Sequence, residues 1–195
     1  MIKLILKALL ILPMFIFIAC GDDEDEVFTP KPKGYMRIDF PKKEYKLYDS
    51  ICPFTFEIPV YSHVEKDQTS QAEPCWLNVN YPQFKAKLHL SYAELTNNLR
   101  NYIETSRELA YKHQVKASGL EQQVVIRDSA KVYGLVYDIA GNTASSIQFY
   151  VTDSTHHFMR GSLYFNVPPN IDSLQIVVDF LKKDIHHMIQ TVKWK

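Results

Sequence analysis

The stretch that decides the fold is KVYGLVYDI at 131–139 followed by ASSIQFYVT at 144–152, two β-rich runs joined by the turn residues 140–143. A second turn at 153–155, Asp-Ser-Thr, leads into the run HHFMRGSLYF at 156–165. Val, Ile, Tyr and Phe are enriched in strands, whereas Gly, Asn, Asp and Ser favour the turns between them. Short connections of this kind predict an antiparallel meander. Its predicted strands are Gln122–Arg127, Lys131–Ile139, Ala144–Thr152 and His156–Phe165.

Alternation of apolar and polar residues also marks the first half of the chain. Every second residue is apolar in Cys75–Tyr81 and Lys85–Leu90, which is the pattern of a half-buried strand. Pro41 and Pro59 end two further runs, because proline cannot donate a hydrogen bond to a strand ladder. The strands predicted in this half are Tyr35–Phe40, Pro53–Ile58, Val60–Val64, Cys75–Tyr81 and Lys85–Leu90.

Two segments change to helical spacing. Ser91-Tyr92-Ala93-Glu94 has the form of a capping box and predicts a helix that ends before Gly119, with His113 near its last turn. Pro168-Pro169-Asn170 then precedes a second helix, with Asn170 or Asp172 as its cap. The apolar face of the second helix is Leu174, Val177, Val178, Leu181, Ile185, Met188, Ile189 and Val192. The residues predicted to face solvent are Lys182, Lys183 and Asp184.

The order of these elements predicts an α+β fold, an antiparallel β-sheet of about 7–9 strands with two packed amphipathic helices. The element order is similar to that of the Mog1/PsbP-like fold. Residues 35–195 are predicted to form a single domain, and no internal repeat is present in the sequence.

The N-terminal residues have the parts of an export signal. Lys3 and Lys7 flank the start of an apolar run that reaches Ile18 and is too short to span a bilayer, which takes about 20 residues. Ala19-Cys20 resembles the end of a bacterial lipobox, although Phe17 stands where Leu is usual. We therefore expect residues 1–19 to be a signal peptide and Cys20 to be the lipidated, palmitate-bearing first residue. The alternative is an ordinary signal peptide with a chance cysteine.

Residues 20–34 are predicted to be a tether. Five acids at 22–26 are followed by a segment rich in Pro and Lys, with little apolar content. The acidic residues after Cys20 also resemble the signal that directs Bacteroidota lipoproteins to the cell surface. A plain solvated spacer and a surface-export signal both remain open.

The charge distribution argues against nucleic-acid binding. The chain has 22 basic and 22 acidic residues, and removing Lys3, Lys7 and the five acids at 22–26 leaves 20 against 17. A nucleic-acid-binding domain carries a concentrated basic face instead. We expect no nucleic-acid partner.

The cysteines point to one disulfide. With Cys20 assigned to the lipid, Cys52 and Cys75 remain as a pair in an oxidising compartment, where disulfides form. A metal site at these two residues would need further ligands at suitable spacing, and none flank them. We expect a Cys52–Cys75 bridge and neither a metal nor a cofactor.

No catalytic signature occurs in the sequence, and we expect the protein not to be an enzyme. His156 and His157 are neighbours on a predicted strand, and His186 and His187 on a predicted helix, so neither pair chelates one ion well. Asp138, Asp153, His156 and Arg160 are predicted near hairpin ends and form the one acid–base set that a hydrolase could use, although no nucleophile accompanies them.

The block from Val132 to Ser154, continued by His157–Phe165, resembles the gliding-motility lipoproteins of Bacteroidota, specifically the D family. Gly34–Pro41, Cys52–Glu57 and Pro74-Cys75-Trp76 fit the same family, so the resemblance covers nearly the whole mature chain. It implies a lipoprotein of the cell envelope, anchored by lipid to the outer membrane, that is needed for gliding motility. The family's association with type IX secretion implies envelope partners from that machinery. It supplies no catalytic residue.

Three functions are therefore compared below. The first is a membrane-tethered, non-enzymatic interaction component of the motility and secretion apparatus. The second is a periplasmic or surface ligand-binding domain for a lipid, glycan or peptide. The third is a hydrolase that uses Asp153, His156 and Arg160.

Overall fold

The structure is a computed structural model that describes residues 37–167 and 171–195, without the side chains of Gln114 and of 171–173. Residues Ile38–Lys195 form one compact unit. The predicted signal peptide and tether, with Cys20, lie outside the described residues. Among the helices described, none combines the length and the apolar composition needed to cross a bilayer.

A seven-stranded antiparallel sheet is the largest element. The strand order is β3-β4-β5-β9-β8-β7-β6, so the four strands of the meander, β6 to β9, lie together at one side of the sheet. The predicted meander is confirmed, with each strand paired to the next by antiparallel registers. The strands are β3 (His63–Lys66), β4 (Leu77–Tyr81), β5 (Ala86–Glu94), β6 (Ala117–Arg127), β7 (Val132–Gly141), β8 (Ser145–Thr152) and β9 (His157–Phe165).

A second, three-stranded antiparallel sheet has the order β1-β2-β10. Its strands are β1 (Tyr45–Tyr48), β2 (Phe54–Pro59) and β10 (Lys193–Trp194). Helix α1 spans Leu99–Tyr111 and helix α2 spans Ile171–Thr191. The predicted α+β class, with antiparallel strands and two helices, is thus confirmed, while the strands divide between two sheets.

Helix α2 contacts both β2 of the small sheet and β8 of the large one. Its predicted apolar face is buried from Val177 to Val192 and joins the main core with Phe54, Phe56, Leu88 and Phe149. Gly161 on β9 lies under the ring of Phe149, where an added Cβ would stand 2.1 Å from a ring carbon. The main core therefore lies between the two sheets and includes one face of α2.

Helix α1 covers the opposite face of the large sheet. Ala110 of α1 packs with Tyr137, Tyr150 and Phe158 in a second apolar cluster. Because both faces of β8 are covered, all eight of its residues are buried, although alternate residues point to opposite faces.

The predicted capping box is wrong. Ser91 and Glu94 continue strand β5, where they pair with Arg160 and His157 of β9, and α1 begins only at Leu99. In this segment, four further residues of β5 pair with residues of β9, which satisfies their backbone hydrogen-bonding groups. The helix therefore begins after them. Helix α1 ends at Tyr111, before Gly119 as predicted, and Gly119 lies within β6.

The prediction of a strand at Tyr35–Phe40 is wrong for its described part. Residues 37–40 form no strand, and Ile38 and Phe40 pack against the main core as irregular chain. Phe40 stacks on Phe180 of α2 with ring centroids 4.4 Å apart. The predicted helix cap lies outside the described part of the chain, because Asn170 is not described and Asp172 is described without its side chain.

The prediction that Asp184 faces solvent is also wrong. Asp184 is 1% exposed, and its carboxylate accepts hydrogen bonds from Lys43 Nζ at 2.7 Å, Tyr45 at 2.9 Å and the hydroxyl of Tyr61. Burial lowers the pKa of Lys43 and raises the pKa of both tyrosines, so the hydroxyls keep their protons and donate to the carboxylate. This cluster fixes the chain around β1 to helix α2.

The disulfide expected between Cys52 and Cys75 is present, with Cα atoms 5.7 Å apart. Cys52 lies just before β2 and Cys75 just before β4, so the bridge joins the chain of the small sheet to that of the large one. Cys52 is buried, and Cys75 packs at the border of the main core.

Replacing Asp184 by Asn should lower the free energy of unfolding by about 3 kcal/mol, because it leaves the partly buried ammonium of Lys43 without its counter-charge. Urea unfolding of the full chain measures this loss. Asp179→Asn is the matched control on the exposed side of the same helix and should cost less than about 0.5 kcal/mol. Equal losses for the two variants would contradict the stabilising role of the cluster.

Replacing Cys75 by Ser should lower stability only under oxidising conditions. The bridge closes a segment with a sequence separation of 23, for which the chain-entropy model gives about 3–3.5 kcal/mol. Melting curves of wild type and variant with and without dithiothreitol measure the difference. A wild type that melts at the same temperature in both buffers would show that no bridge forms.

Candidate functional site

The residues of the hydrolase hypothesis do not form one site. Asp138 on β7 pairs with Ile147 near the start of β8, whereas Asp153 follows the other end of β8. Asp138 also forms an ion pair with Lys182 of α2 at 2.9 Å. Arg160 lies in the middle of β9, opposite Tyr150. The sheet register therefore separates the acids that the sequence placed near each other.

Asp153 organises the turn between β8 and β9. Its Oδ1 accepts backbone hydrogen bonds from Thr155 at 3.0 Å, His156 at 2.8 Å and His157 at 2.7 Å. Burial alone would raise the pKa of Asp153, but these donors and the Thr155 hydroxyl outweigh it and hold the pKa well below its usual range. The carboxylate has a structural role in this turn.

The histidines lie in separate surroundings. His156 is exposed in the turn, whereas His157 stacks on Trp194 with centroids 5.1 Å apart and shares a 2.8 Å hydrogen bond with the Tyr92 hydroxyl. His187 pairs with Glu57 of β2 at 2.6 Å. Within the described ranges, no group of three His, Cys, Asp or Glu residues is placed to hold a metal ion.

An open groove of about 560 Å³ lies beside Trp194. Four cations line it, namely Arg127, Lys131, Lys193 and Lys195. Arg127 donates to the carbonyls of Ile189 and Val192 at the end of α2, and Lys195 is paired with Asp49. The groove therefore uses two of its cations to hold the C-terminal segment in place.

A cluster of polar side chains surrounds Ser162 on the α1 side of the large sheet. The register places His89 of β5 and Gln148 of β8 directly opposite Ser162. Arg160 and Tyr164 are two residues away on the same strand and so share its face. Ser162 and Gln148 are each 1% exposed. We call these five residues the Ser162 pocket.

Several buried polar atoms at and beside this pocket have no hydrogen-bond partner within the part of the chain that the structure describes. They are Ser162 Oγ, Gln148 Nε2, and, on the neighbouring strand β4, Asn78 Oδ1 and Asn80 Nδ2. Buried polar groups in native proteins are nearly always paired, so a cluster of unpaired ones needs a reason. Asn78 lies opposite His89, which makes it part of the same row across the sheet.

Among the described residues, the polar partner of Arg160 is Gln148, whose Oε1 accepts a hydrogen bond from Nη2 at 2.6 Å. No carboxylate among the described side chains, those of residues 37–167 and 174–195, forms an ion pair with its guanidinium. Burial lowers the pKa of Arg160, an effect that the nearby Tyr164 opposes. A partly buried cation without a counter-charge is costly, because it has lost water and gained no anion.

Two imidazoles flank the pocket. The ring of His89 meets Tyr164 edge-on with centroids 5.6 Å apart, and His113, just after α1, lies 6.5 Å from the same ring. Burial lowers the pKa of both histidines, helped by the charge of Lys87 at His89 and of Arg160 at His113, while Asp67 opposes the shift at His89. Near neutral pH both rings are uncharged and have a nitrogen that can donate.

A model of the family described as gliding motility lipoprotein GldD matches residues 25–194. The chain belongs to the GldD family. The resemblance found in the sequence is thereby confirmed, and with it the assignment to a gliding motility lipoprotein family of the cell envelope. The matched residues begin after Cys20, so the acylation of that residue stays a prediction.

No curated protein matches this member of the GldD family. Among solved structures, the chain is similar to the solution structure of cyanobacterial PsbP (CyanoP) from Synechocystis sp. PCC 6803, at 10% identity and a TM-score of 0.48. That match covers 82% of this chain and 98% of the other.

The sequence analysis of this GldD protein missed the Ser162 pocket. Arg160 was considered as a hydrolase residue, but Ser162, Gln148 and Asn78 were not considered. One signal was available, since Gln148 interrupts the apolar run 147–151, and Arg160 and Ser162 interrupt the largely apolar run 158–165. Showing that they meet requires the register of three strands.

Replacing Asp153 by Ala should lower the free energy of unfolding by about 1–3 kcal/mol at neutral pH, because the turn loses its three backbone bonds to a carboxylate. A depressed folded-state pKa gives stability above the unfolded pKa of about 4 that is lost as pH falls through the folded value. The difference between wild type and variant should therefore be constant above about pH 5 and shrink below pH 4. Urea unfolding at several pH values measures it, and a pH-independent difference would contradict the role of the charge.

Proposed function

We propose that the protein is a lipid-anchored, non-enzymatic interaction component of the cell envelope that is required for gliding motility and supports the type IX secretion machinery. The observation that carries the proposal is the GldD family match over residues 25–194. The anchor is Cys20, and the membrane that holds it is the outer membrane. The partners are envelope proteins of the motility and secretion apparatus.

Replacing Cys20 by Ala in the chromosomal copy tests the anchored role. The variant should leave the membrane fraction, because each buried methylene of an acyl chain contributes about 0.8 kcal/mol to membrane binding. Cells that carry it should lose gliding, measured by single-cell tracking, and secretion of a type IX cargo is assayed in parallel. Cys75→Ser is the matched control and should stay in the membrane fraction. A Cys20→Ala protein that remains there at the wild-type level contradicts the proposal.

Crosslinking in intact cells tests the interaction role. The tethered protein should be recovered with proteins of the motility or secretion apparatus, and recovery of a monomer alone would contradict it. Protease treatment of intact cells determines on which side of the outer membrane the domain lies. Digestion places the domain on the cell surface, and protection places it in the periplasm.

His156→Ala tests the absence of catalysis. The imidazole is exposed, and its contacts to Thr155 at 3.0 Å and Asp153 at 3.7 Å lie within the same turn, so its removal should leave the fold intact. A hydrolase that uses His156 would lose its proton-transfer group, and its rate would fall by a factor of about 10² or more, the usual contribution of general acid–base catalysis, so gliding that depends on the reaction would be impaired. Wild-type motility in this variant supports the non-enzymatic role.

A second candidate function is a ligand-binding domain, alternative to or alongside the interaction role. The unpaired polar atoms around Ser162 favour it, because groups of this kind in a native structure commonly await an ion, a water or a ligand. A binding assay that includes pocket variants separates this function from the interaction role.

A further inference from the structure

The Ser162 pocket and its surroundings supply donors and positive charge. Arg160 has guanidinium N–H groups beyond the one bonded to Gln148, while Gln148 Nε2 is a donor without an acceptor. Ser162 Oγ can donate as well, and its neighbours His89 and Tyr164 have polar tips on the same face. None of the five pocket residues is acidic. This combination suits a ligand that accepts hydrogen bonds and carries negative charge.

The charge of Arg160, partly buried and without a counter-charge among the described residues, restricts the class of ligand further. Arginine is the side chain that binds planar or tetrahedral oxyanions through two parallel hydrogen bonds. Here it is held in mid-strand by Gln148 and is partly out of water, and no carboxylate of the described residues neutralises it. An anion in contact with it would supply the missing counter-charge, whereas a metal ion or a neutral apolar molecule would leave it unpaired.

We infer that the Ser162 pocket binds an oxyanion, a carboxylate or phosphate group of a polar ligand, with Arg160 as the charged anchor and Ser162 and Gln148 as neutral donors. The inference rests on the second candidate function, ligand binding, and gives it a site and a ligand class. It is independent of the anchored role, which the Cys20→Ala experiment tests by itself.

The approach to the site lies over His89 and Tyr164. These two residues, with Lys87, line a cavity of about 310 Å³ beside the pocket. Ser162 Oγ and Gln148 Nε2 have almost no contact with solvent, but His89 is exposed and Arg160 is only partly buried. An anion that enters from this side therefore meets the guanidinium of Arg160 before the two inner donors. Lys87 adds positive charge at the entrance.

The test is a titration of the full chain in a non-ionic detergent, followed by NMR of the arginine Nε–H and backbone amide signals. Sodium glucuronate and inorganic phosphate are the probes, and glucose at the same concentration and ionic strength is the neutral control. Saturable shifts at residues 160–162 are expected. Arg160→Gln should weaken binding by about tenfold or more, since a hydrogen bond to a charged group contributes about 1.5–3 kcal/mol. Arg100→Gln, an exposed arginine on α1 paired with Glu104, should change nothing.

The arms distinguish the sources of the anion. Saturation by glucuronate alone assigns a carboxylate, by phosphate alone a phosphate, and by both a general oxyanion site. The probes are titrated to about 0.1 M, which exceeds 100-fold the protein concentration and at which salt screens charges within roughly 10 Å. If neither probe saturates in this range, the inference is overturned. Equal binding by wild type and Arg160→Gln overturns it as well.

A double variant, Arg160→Met with Gln148→Leu, separates a binding role from a structural one. If Arg160 serves to bind a ligand, then removing it together with Gln148, its hydrogen-bond partner, should leave the melting temperature unchanged or raise it in the absence of probe, as for other unfavourable buried charges. The same variant should lose the stabilisation that probe gives to the wild type. A large fall in melting temperature without probe would show that Arg160 is structural and would overturn the inference.

Discussion

Helix α2 must pack against two sheets at once, and most of the architecture depends on that constraint. One amphipathic stripe fills the space between β2 and the large sheet, so both sheets need inward faces that are almost wholly apolar. A carboxylate on the same helix, Asp184, is then left without water. It accepts hydrogen bonds from the ammonium of Lys43 just before β1 and from the hydroxyl groups of Tyr45 in β1 and Tyr61 just after β2. Apolar packing thus sets the position of α2, and the buried charge selects the path of the N-terminal segment over it.

The opposite face of the large sheet follows a different rule. Helix α1 is shorter and covers mainly β7, β8 and β9, where it packs on Tyr137, Tyr150 and Phe158. Beyond its end, the face carries Asn78, His89 and Ser162 instead of apolar residues. An ordinary solvent-facing sheet would pair such groups with water, but here several are buried and unpaired. Proteins leave buried polar groups unpaired mostly at functional sites, and the unpaired groups here lie around Arg160.

The sequence predicted what neighbouring residues decide. The meander followed from alternation and turn residues, and the second helix followed from a clean apolar repeat. The prediction of a Cys52–Cys75 bridge rested on compartment chemistry and on two remaining cysteines. The predictions failed where distant segments decide. Ser91–Glu94 fits a helix cap and also a strand, and only pairing with β9 selects the strand.

Asp184 illustrates the same limit at a single residue. On a helical wheel it lies at the border of the apolar stripe, next to two lysines, and nothing nearby in the sequence indicates that Lys43 and Tyr61 will reach it. The Ser162 pocket needed even more, because its residues come from three strands and meet only when all registers are known. The short strands β1 and β10 were missed for this reason too, since their pairing with β2 is non-local.

The disulfide limits how far the chain can be extended when the domain is pulled from its N-terminal end. Force applied there acts first on the contacts of Lys43 and on the ladder between β1 and β2, which are non-covalent and can yield. Extraction of the chain then stops at Cys52, because this residue is bonded to Cys75 at the border of the large sheet. Release of the segment from Ile38 to Cys52 would add on the order of 50 Å of reach at about 3.4 Å per residue. For the anchoring through Cys20 proposed above, the bridge therefore limits the extension to the segment before Cys52 and transmits the load to Cys75, so that β2 and β3 are bypassed.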